Sequence, residues 1–129
     1  MSGDPRAAAV SRKIEEWLES GEELHAPSLT PFEIANALTR LVTGGLFPPE
    51  RISEAVAYLA VLPVTYHSLE LSQAGSVAEI ALGLQRRSAY DAAYLKLGED
   101  LDAEVWTLDG KLFRNASQKG WRVRRLVNS

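Results

Sequence analysis

Short apolar segments alternate along this chain with longer segments that have helical periodicity. The first helical segment, residues 6–20, places Ile14, Trp17 and Leu18 at helical spacing before Gly21. Further helices are predicted over residues 30–44, 48–62, 69–87, 88–101 and 109–120. Strands are predicted in the segments ELHAPSL, PVTYHSL, AEVWTL and WRVRRLV. This alternation predicts a mostly parallel sheet with helices on both faces, a three-layer α/β/α fold.

The composition is that of one globular domain. With 129 residues, 46% of them hydrophobic, the chain is long enough for one core and short for two. The absence of cysteine excludes a disulfide framework and a cysteine nucleophile, and it suits a reducing compartment. The longest apolar run, AVAYLAVLPV, is much shorter than the roughly 20 residues that cross a bilayer. We therefore expect a single cytoplasmic domain over residues 1–129.

The net charge of −3 argues against attraction of the whole surface to nucleic acid. Its distribution is uneven, because residues 1–70 carry 5 basic and 10 acidic side chains and residues 71–129 carry 9 and 7. The second part of the chain is therefore the candidate for a local nucleic-acid-binding face. The alternative is that its arginines are ordinary solvated side chains.

Three carboxylates occupy the same place in the pattern, the beginning of a helix: Glu33, Asp91 and Asp109. A structural role is available to each of them, because an acid in the first turn favours the helix dipole. The segments TPFE and SAYD match the capping box, with Thr30 and Ser88 as the capping residues. Asp109 is itself a suitable N-cap.

Convergence favours a second role for these acids. Glu33 and Asp109 each follow a predicted parallel strand, so both should emerge at the same sheet edge, and Asp91 begins the helix that leads into the second of these strands. Clustered carboxylates need a cation, and oxygen ligands favour Mg²⁺ or Mn²⁺ over zinc. His25 and His67 have no second ligand at suitable spacing, and the chain has no glycine-rich phosphate loop. The pattern therefore predicts metal-dependent cleavage of phosphodiesters.

Two segments resemble those of a known family. APSLTPFEIANALTRLVTGG, followed by YDAAYLKLGEDLDAEVWTLDGKLFRNASQKGW, is similar to PIN-domain proteins of the VapC toxin type. The resemblance covers nearly the whole chain from Ala7 on, and the later segment carries its specific motifs. It implies an endoribonuclease that uses Mg²⁺ or Mn²⁺, forms a homodimer, and is neutralised by a small antitoxin protein.

The same resemblance assigns roles to individual residues. Glu33, Asp91 and Asp109 match the second, third and fourth acids of the family's set, and would be the metal ligands and catalytic residues. Polar support is expected from three residues near these acids: Asn36, Thr107 and Ser88. RNA contacts are expected from the basic residues that flank the predicted cleft: Arg86, Arg87 and Lys111. Phe32 and Phe47 are candidates for a dimer or antitoxin groove, with core packing as their alternative.

The chain departs from the family pattern at its beginning. Family members normally open with an apolar strand that ends in the first acid, whereas Asp4 here follows only MSG and precedes Pro5. We assign no first acid and expect a domain that is N-terminally truncated relative to the family and lacks the usual first strand. The main alternative function is a non-catalytic α/β interaction module whose acids are only helix caps. A receiver-type signalling domain is disfavoured, because the early acidic pair and late lysine it requires are not evident.

Overall fold

The computed structural model describes residues 5–86 and 89–126 and has a mixed α/β fold with short parallel strands, as the alternation predicts. Its elements, in chain order, are α1 (Pro5–Glu19), β1 (Leu24–Pro27), α2 (Thr30–Thr43), a 3₁₀ turn (Pro49–Arg51), α3 (Ile52–Ala60), β2 (Val64–His67), a second 3₁₀ turn (Leu71–Gln73), α4 (Ala74–Gly83), α5 (Tyr90–Leu101), β3 (Val105–Thr107), α6 (Gly110–Gln118) and β4 (Val123–Arg125). None of the described helices has the length and apolar character needed to cross a membrane.

The four described strands form two parallel pairs. β1 lies beside β2, with Leu24 opposite Val64, and β3 lies beside β4, with Val105 opposite Val123. Each described strand has one hydrogen-bonded neighbour, so the strands make two two-stranded sheets where the sequence predicts one sheet. The reason is that no described strand pairs with both β1 and β3.

The chain forms two compact units. The core unit consists of the residues up to Glu23 together with those from Leu69 on, and the middle unit is Leu24–Ser68. The core unit contains α1, α4, α5, α6 and the β3–β4 pair, whereas the middle unit contains α2, α3 and the β1–β2 pair. The expectation of one domain over residues 1–129 stays a prediction.

The hydrophobic core of the core unit is made by helices packed on the β3–β4 pair. Its buried members are Leu84, Leu95, Leu112, Ala116 and Val123, with Ile80, Val105, Phe113 and Trp121 packed around them. Helix α5 lies close to β3, because a Cβ at Gly98 would lie 2.6 Å from Cγ2 of Val105. On α1, Trp17 makes an edge-to-face contact with Trp106 of β3 at 5.2 Å between ring centroids. These contacts hold α1 and α5 against β3, the strand that Asp109 follows.

Helices in both units end in a Schellman motif, in which two backbone N–H groups bond back to the last turn. In α2 the left-handed residue is Gly45, and Leu46 N–H donates to the carbonyl of Leu41. In α4 it is Gln85, with a φ of 58°, and Arg86 N–H donates to the carbonyl of Ala81. This second motif matters for function, because it fixes the backbone of Arg86 directly before α5.

Candidate active site

Asp109 lies just past the end of β3 and is the N-cap of α6. Its Oδ1 accepts hydrogen bonds from the backbone N–H groups of Lys111, at 2.9 Å, and Leu112, at 3.1 Å. Its own N–H donates to Oγ1 of Thr107 at 3.0 Å. The predicted capping role of Asp109 is therefore present in the structure, and Thr107 supports the turn that carries it.

These hydrogen bonds also set the charge of Asp109. The N–H of Leu112 is the largest cause that lowers the pKa of its carboxyl below the usual 3.8. Partial burial opposes this shift, while the N–H of Lys111 and the guanidinium of Arg86 lower the pKa further. Asp109 is thus an anion at neutral pH, with Oδ1 used by the helix.

Asp91 lies in the first turn of α5. The N-cap of this helix is Ala89, which makes no side-chain cap, so the predicted helix start at Ser88 is one position too early. The proposed Ser88 cap itself lies outside the described residues, as does Arg87. Oδ2 of Asp91 lies 3.5 Å from Nη1 of Arg86. The described contact of this carboxylate is therefore with a cation.

Arg86 joins the two acids. Its Nη2 lies 3.6 Å from Oδ2 of Asp109, so one guanidinium faces Oδ2 of both carboxylates. The side chain is 20% exposed, and its Nε and Nη2 are buried without a hydrogen-bond acceptor among the described residues. The sequence predicts Arg86 as an RNA contact, but its role as the counter-ion of this acid pair emerges only from the fold.

Two further basic residues lie at the beginning of α6 or over it. Lys111, a predicted RNA contact, is an exposed residue in the first turn of α6. The guanidinium of Arg125, on β4, lies over the beginning of α6, where a Cβ at Gly110 would lie 2.8 Å from its Cζ. Sequence analysis did not single out Arg125, although the parallel register that pairs it with Thr107 could have placed it at this edge.

Glu33 and Asn36 are residues of α2 in the middle unit, three positions apart as predicted. The predicted N-cap of this helix, Thr30, is one residue too late. Thr30 is the first helical residue, and the N-cap is Leu29, which already has helical backbone angles and offers no side-chain acceptor. The N–H of Glu33 donates to the carbonyl of Leu29, and Glu33 lies in the first turn of the helix as predicted.

The two histidines of the middle unit contact each other. Nδ1 of His25 lies 2.8 Å from Nε2 of His67, because the parallel pairing of β1 and β2 brings the two rings together. The sequence pattern gave neither histidine a partner at suitable spacing, and it is that of ordinary residues that are partly buried or lie at the surface. Partial burial is confirmed, and their mutual hydrogen bond is a feature that the sequence analysis missed.

A known protein is similar to this chain over most of its length. Ribonuclease VapC3 of Pyrobaculum aerophilum is 30% identical over an alignment of 105 residues, and the match covers 79% of this chain and 78% of that protein. No protein-family model matches the chain. The chain belongs to the VapC ribonuclease family. The resemblance drawn from the two sequence segments is thereby confirmed at the level of the family.

The acid pair of this VapC family member suits a hard divalent cation. Mg²⁺ typically takes one or two protein carboxylates and keeps several waters, and here two Oδ2 atoms face a single positive group. Among residues 5–86 and 89–126, no group of three or more His, Cys, Asp or Glu side chains could hold a metal ion. Asp91 and Asp109 are thus the two carboxylates that the described geometry brings together as candidate metal ligands. A role of Glu33 as a third ligand stays a prediction.

Proposed function

We propose that this chain is a metal-dependent endoribonuclease that cleaves single-stranded or structured RNA as the toxin of a toxin–antitoxin pair. Family membership supports a ribonuclease of this type. The observation that carries the proposal is the convergence of Oδ2 of Asp91 and Oδ2 of Asp109 on one cation beside the end of β3. Carboxyl ends of parallel strands are where open α/β folds bind ligands.

The residues divide into ligands and supports. Asp91 and Asp109 would hold Mg²⁺ or Mn²⁺ through their Oδ2 atoms, and the family resemblance adds Glu33. When bound, such an ion activates a water and stabilises the charge that develops on the scissile phosphate. Thr107 holds the backbone of Asp109. Two backbone N–H groups occupy Oδ1, which leaves Oδ2 as the oxygen that would bind the metal. Asn36 and Ser88 are the remaining proposed supports.

RNA would be held by the basic residues beside the acid pair. Arg86 and Lys111 flank Asp109 in the structure, and Arg87, outside the described residues, follows Arg86 in the sequence. Phosphate contacts of this kind release counter-ions, so RNA binding should weaken steeply as salt rises.

A small antitoxin and a second copy of the chain are the proposed protein partners. Candidate contacts in the middle unit are exposed apolar side chains, among them Phe32, which is 74% exposed.

The decisive test is cleavage of a single-stranded RNA with Mg²⁺ or Mn²⁺ by the wild type and by Asp91→Asn. We expect the variant to lose metal-dependent cleavage and to unfold within about 1 kcal/mol of the wild type, because the described contact of Asp91 is a long ion pair of 3.5 Å rather than a helix cap, and its side chain is 38% exposed. Asp100→Asn is the matched control, since Asp100 is an acid of the same helix that pairs with Lys96 at 2.7 Å. Undiminished cleavage by Asp91→Asn would remove the proposal.

The alternative function is a non-catalytic α/β interaction module. It is favoured by one specific observation: Asp109 caps α6 through two backbone hydrogen bonds, which is a sufficient structural reason for the acid. On this alternative, the wild type has no metal-dependent cleavage to lose, and Asp109→Ala lowers only stability.

A further inference from the structure

The guanidinium of Arg86 lies within 4 Å of Oδ2 of both Asp91 and Asp109. We propose that Arg86 is a built-in counter-cation of the Asp91–Asp109 pair, which a divalent metal must displace, so that this arginine sets the metal affinity of the site. The inference rests on the proposed function insofar as it takes these two acids to be metal ligands.

The contact geometry is that of a cation held loosely by both acids. The distances of 3.5 Å from Nη1 to Asp91 and 3.6 Å from Nη2 to Asp109 exceed the usual 2.7–2.9 Å of a charge-assisted hydrogen bond. Elsewhere in the core unit, Arg122 approaches Asp102 to 2.6 Å and Arg124 approaches Glu104 to 2.9 Å. Arg86 therefore neutralises two carboxylates at once without the close bidentate fit that would lock it in place.

The burial of Arg86 indicates that its donors are incompletely used. Nε and Nη2 are buried, and no described residue accepts a hydrogen bond from either atom. Buried donors without acceptors are costly, so an arrangement that supplies acceptors is favoured. Phosphate oxygens are suitable acceptors for a guanidinium, and a backbone phosphate of RNA drawn to the metal would supply them. A metal entering between the acids would thus transfer Arg86 from the carboxylates to the substrate.

The backbone around Arg86 makes such an exchange local. Its N–H is fixed to the carbonyl of Ala81 at 2.9 Å, and that of Gln85 to Leu82 at 3.0 Å, at the end of α4. Only the side chain of Arg86 then has to move, because its backbone is held at the end of α4.

The test measures metal binding without RNA. Mn²⁺ is titrated into the full-length wild type and Arg86→Gln, and free Mn²⁺ is followed by electron paramagnetic resonance. We expect Arg86→Gln to bind Mn²⁺ about tenfold or more tightly, because a unit charge within a few ångströms shifts ionic equilibria at a site by that order. Without metal this variant should melt at a lower temperature than the wild type. Mn²⁺ should raise its melting temperature and remove this difference.

Two further variants make the result specific. Arg124→Gln removes the same charge from an arginine that pairs only with Glu104 in the described structure, and it should bind Mn²⁺ like the wild type. Arg86→Lys keeps the charge on a group that cannot span two carboxylates in the same way, so we expect an intermediate affinity, and it serves if Arg86→Gln does not fold.

The outcomes separate this inference from the proposed function. Measurable Mn²⁺ binding that is equal or weaker in Arg86→Gln and Arg86→Lys overturns the role of Arg86 and leaves the proposed nuclease intact. No Mn²⁺ binding by the wild type or any Arg86 variant overturns both proposals. Equal tightening in Arg124→Gln also overturns the inference, because the effect would then come from net charge.

Discussion

The core unit and the middle unit are built from the same kinds of element, yet they bury side chains very differently. The core unit encloses several large apolar residues, including Leu95, which is 1% exposed. The middle unit is described throughout, and Pro27 is its one buried residue. Leu46 and Val61 of this unit are 77% and 76% exposed. Helical periodicity therefore forms helices in both units, but a core forms only where several helices cover a strand pair.

The acids follow the same division. Asp91 and Asp109 begin helices that pack into the core, so the core fixes the distance of each from Arg86. Glu33 begins a helix of the middle unit that has no buried residue. Packing in the core unit thus fixes the geometry of Asp91 and Asp109, whereas no buried residue of α2 fixes that of Glu33.

The largest effect is expected from truncation of the core. Leu95→Ala should lower the free energy of unfolding by about 2–5 kcal/mol, because it leaves a cavity against Leu112 and its neighbours. Leu46→Ala, at an exposed position of the middle unit, should change it by less than about 0.5 kcal/mol. Urea unfolding measures both values. Equal losses would show that the two units do not differ as described.

The next effect concerns the approach of α5 to β3. Gly98→Ala should lower stability by about 1–3 kcal/mol, because its methyl group would lie 2.6 Å from Cγ2 of Val105. Gly83→Ala, where no atom lies within 4 Å of an added Cβ, is the control and should be neutral or stabilising by up to about 1 kcal/mol. Thermal unfolding of the two variants measures the difference between them. Equal stabilities would show that α5 does not lie close against β3.

A smaller effect is expected at the cap of α6. Asp109→Ala should cost about 0.5–2 kcal/mol at neutral pH, and Asp109→Asn less, since asparagine is also an N-cap. Hydrogen bonds and Arg86 lower the folded-state pKa of Asp109, so its ionic contribution is complete above the ordinary value of 3.8 and is lost as the pH falls through the lower folded pKa.

Urea unfolding at neutral and acidic pH tests the sign of this linkage. The stability advantage of the wild type over Asp109→Asn should shrink as the pH falls. An advantage that grows in acid would contradict the assigned direction of the pKa shift.

The smallest effect compares one helix-end motif in the two units. Gln85→Gly should stabilise the core unit by up to about 1 kcal/mol, because glycine adopts a φ of 58° without steric cost. Gly45→Ala, at a φ of 74° in the middle unit, should lower the free energy of unfolding by about the same amount. Backbone strain is then the whole cause, because an added Cβ has no other atom within 4 Å. Melting temperatures that move in the same direction in both variants would show that backbone strain is not the cause.

Much of the fold could be predicted from the sequence because it depends on local chemistry. Periodicity indicated all six described helices, and Gly120 ends the last of them as expected. The failures occur where local signals compete. TPFE has the letters of a capping box, but Leu29 continues the helical angles backwards and places Thr30 inside the helix. The left-handed position after α4 is held by Gln85 rather than by glycine, so its Schellman motif carried no sequence signal.

The sequence by itself determined the mixed α/β class, the VapC family, and the placement of Asp91 and Asp109 at helix beginnings, because these depend on residue order and spacing. The tertiary structure decided what those acids contact. Arg86 belongs to the end of one helix, Asp91 to the beginning of the next, and Asp109 to the turn after β3, so their meeting depends on packing around Leu95. Charge pairs between separate elements leave no periodic trace in a sequence, and only folding brings this cation to its two acids.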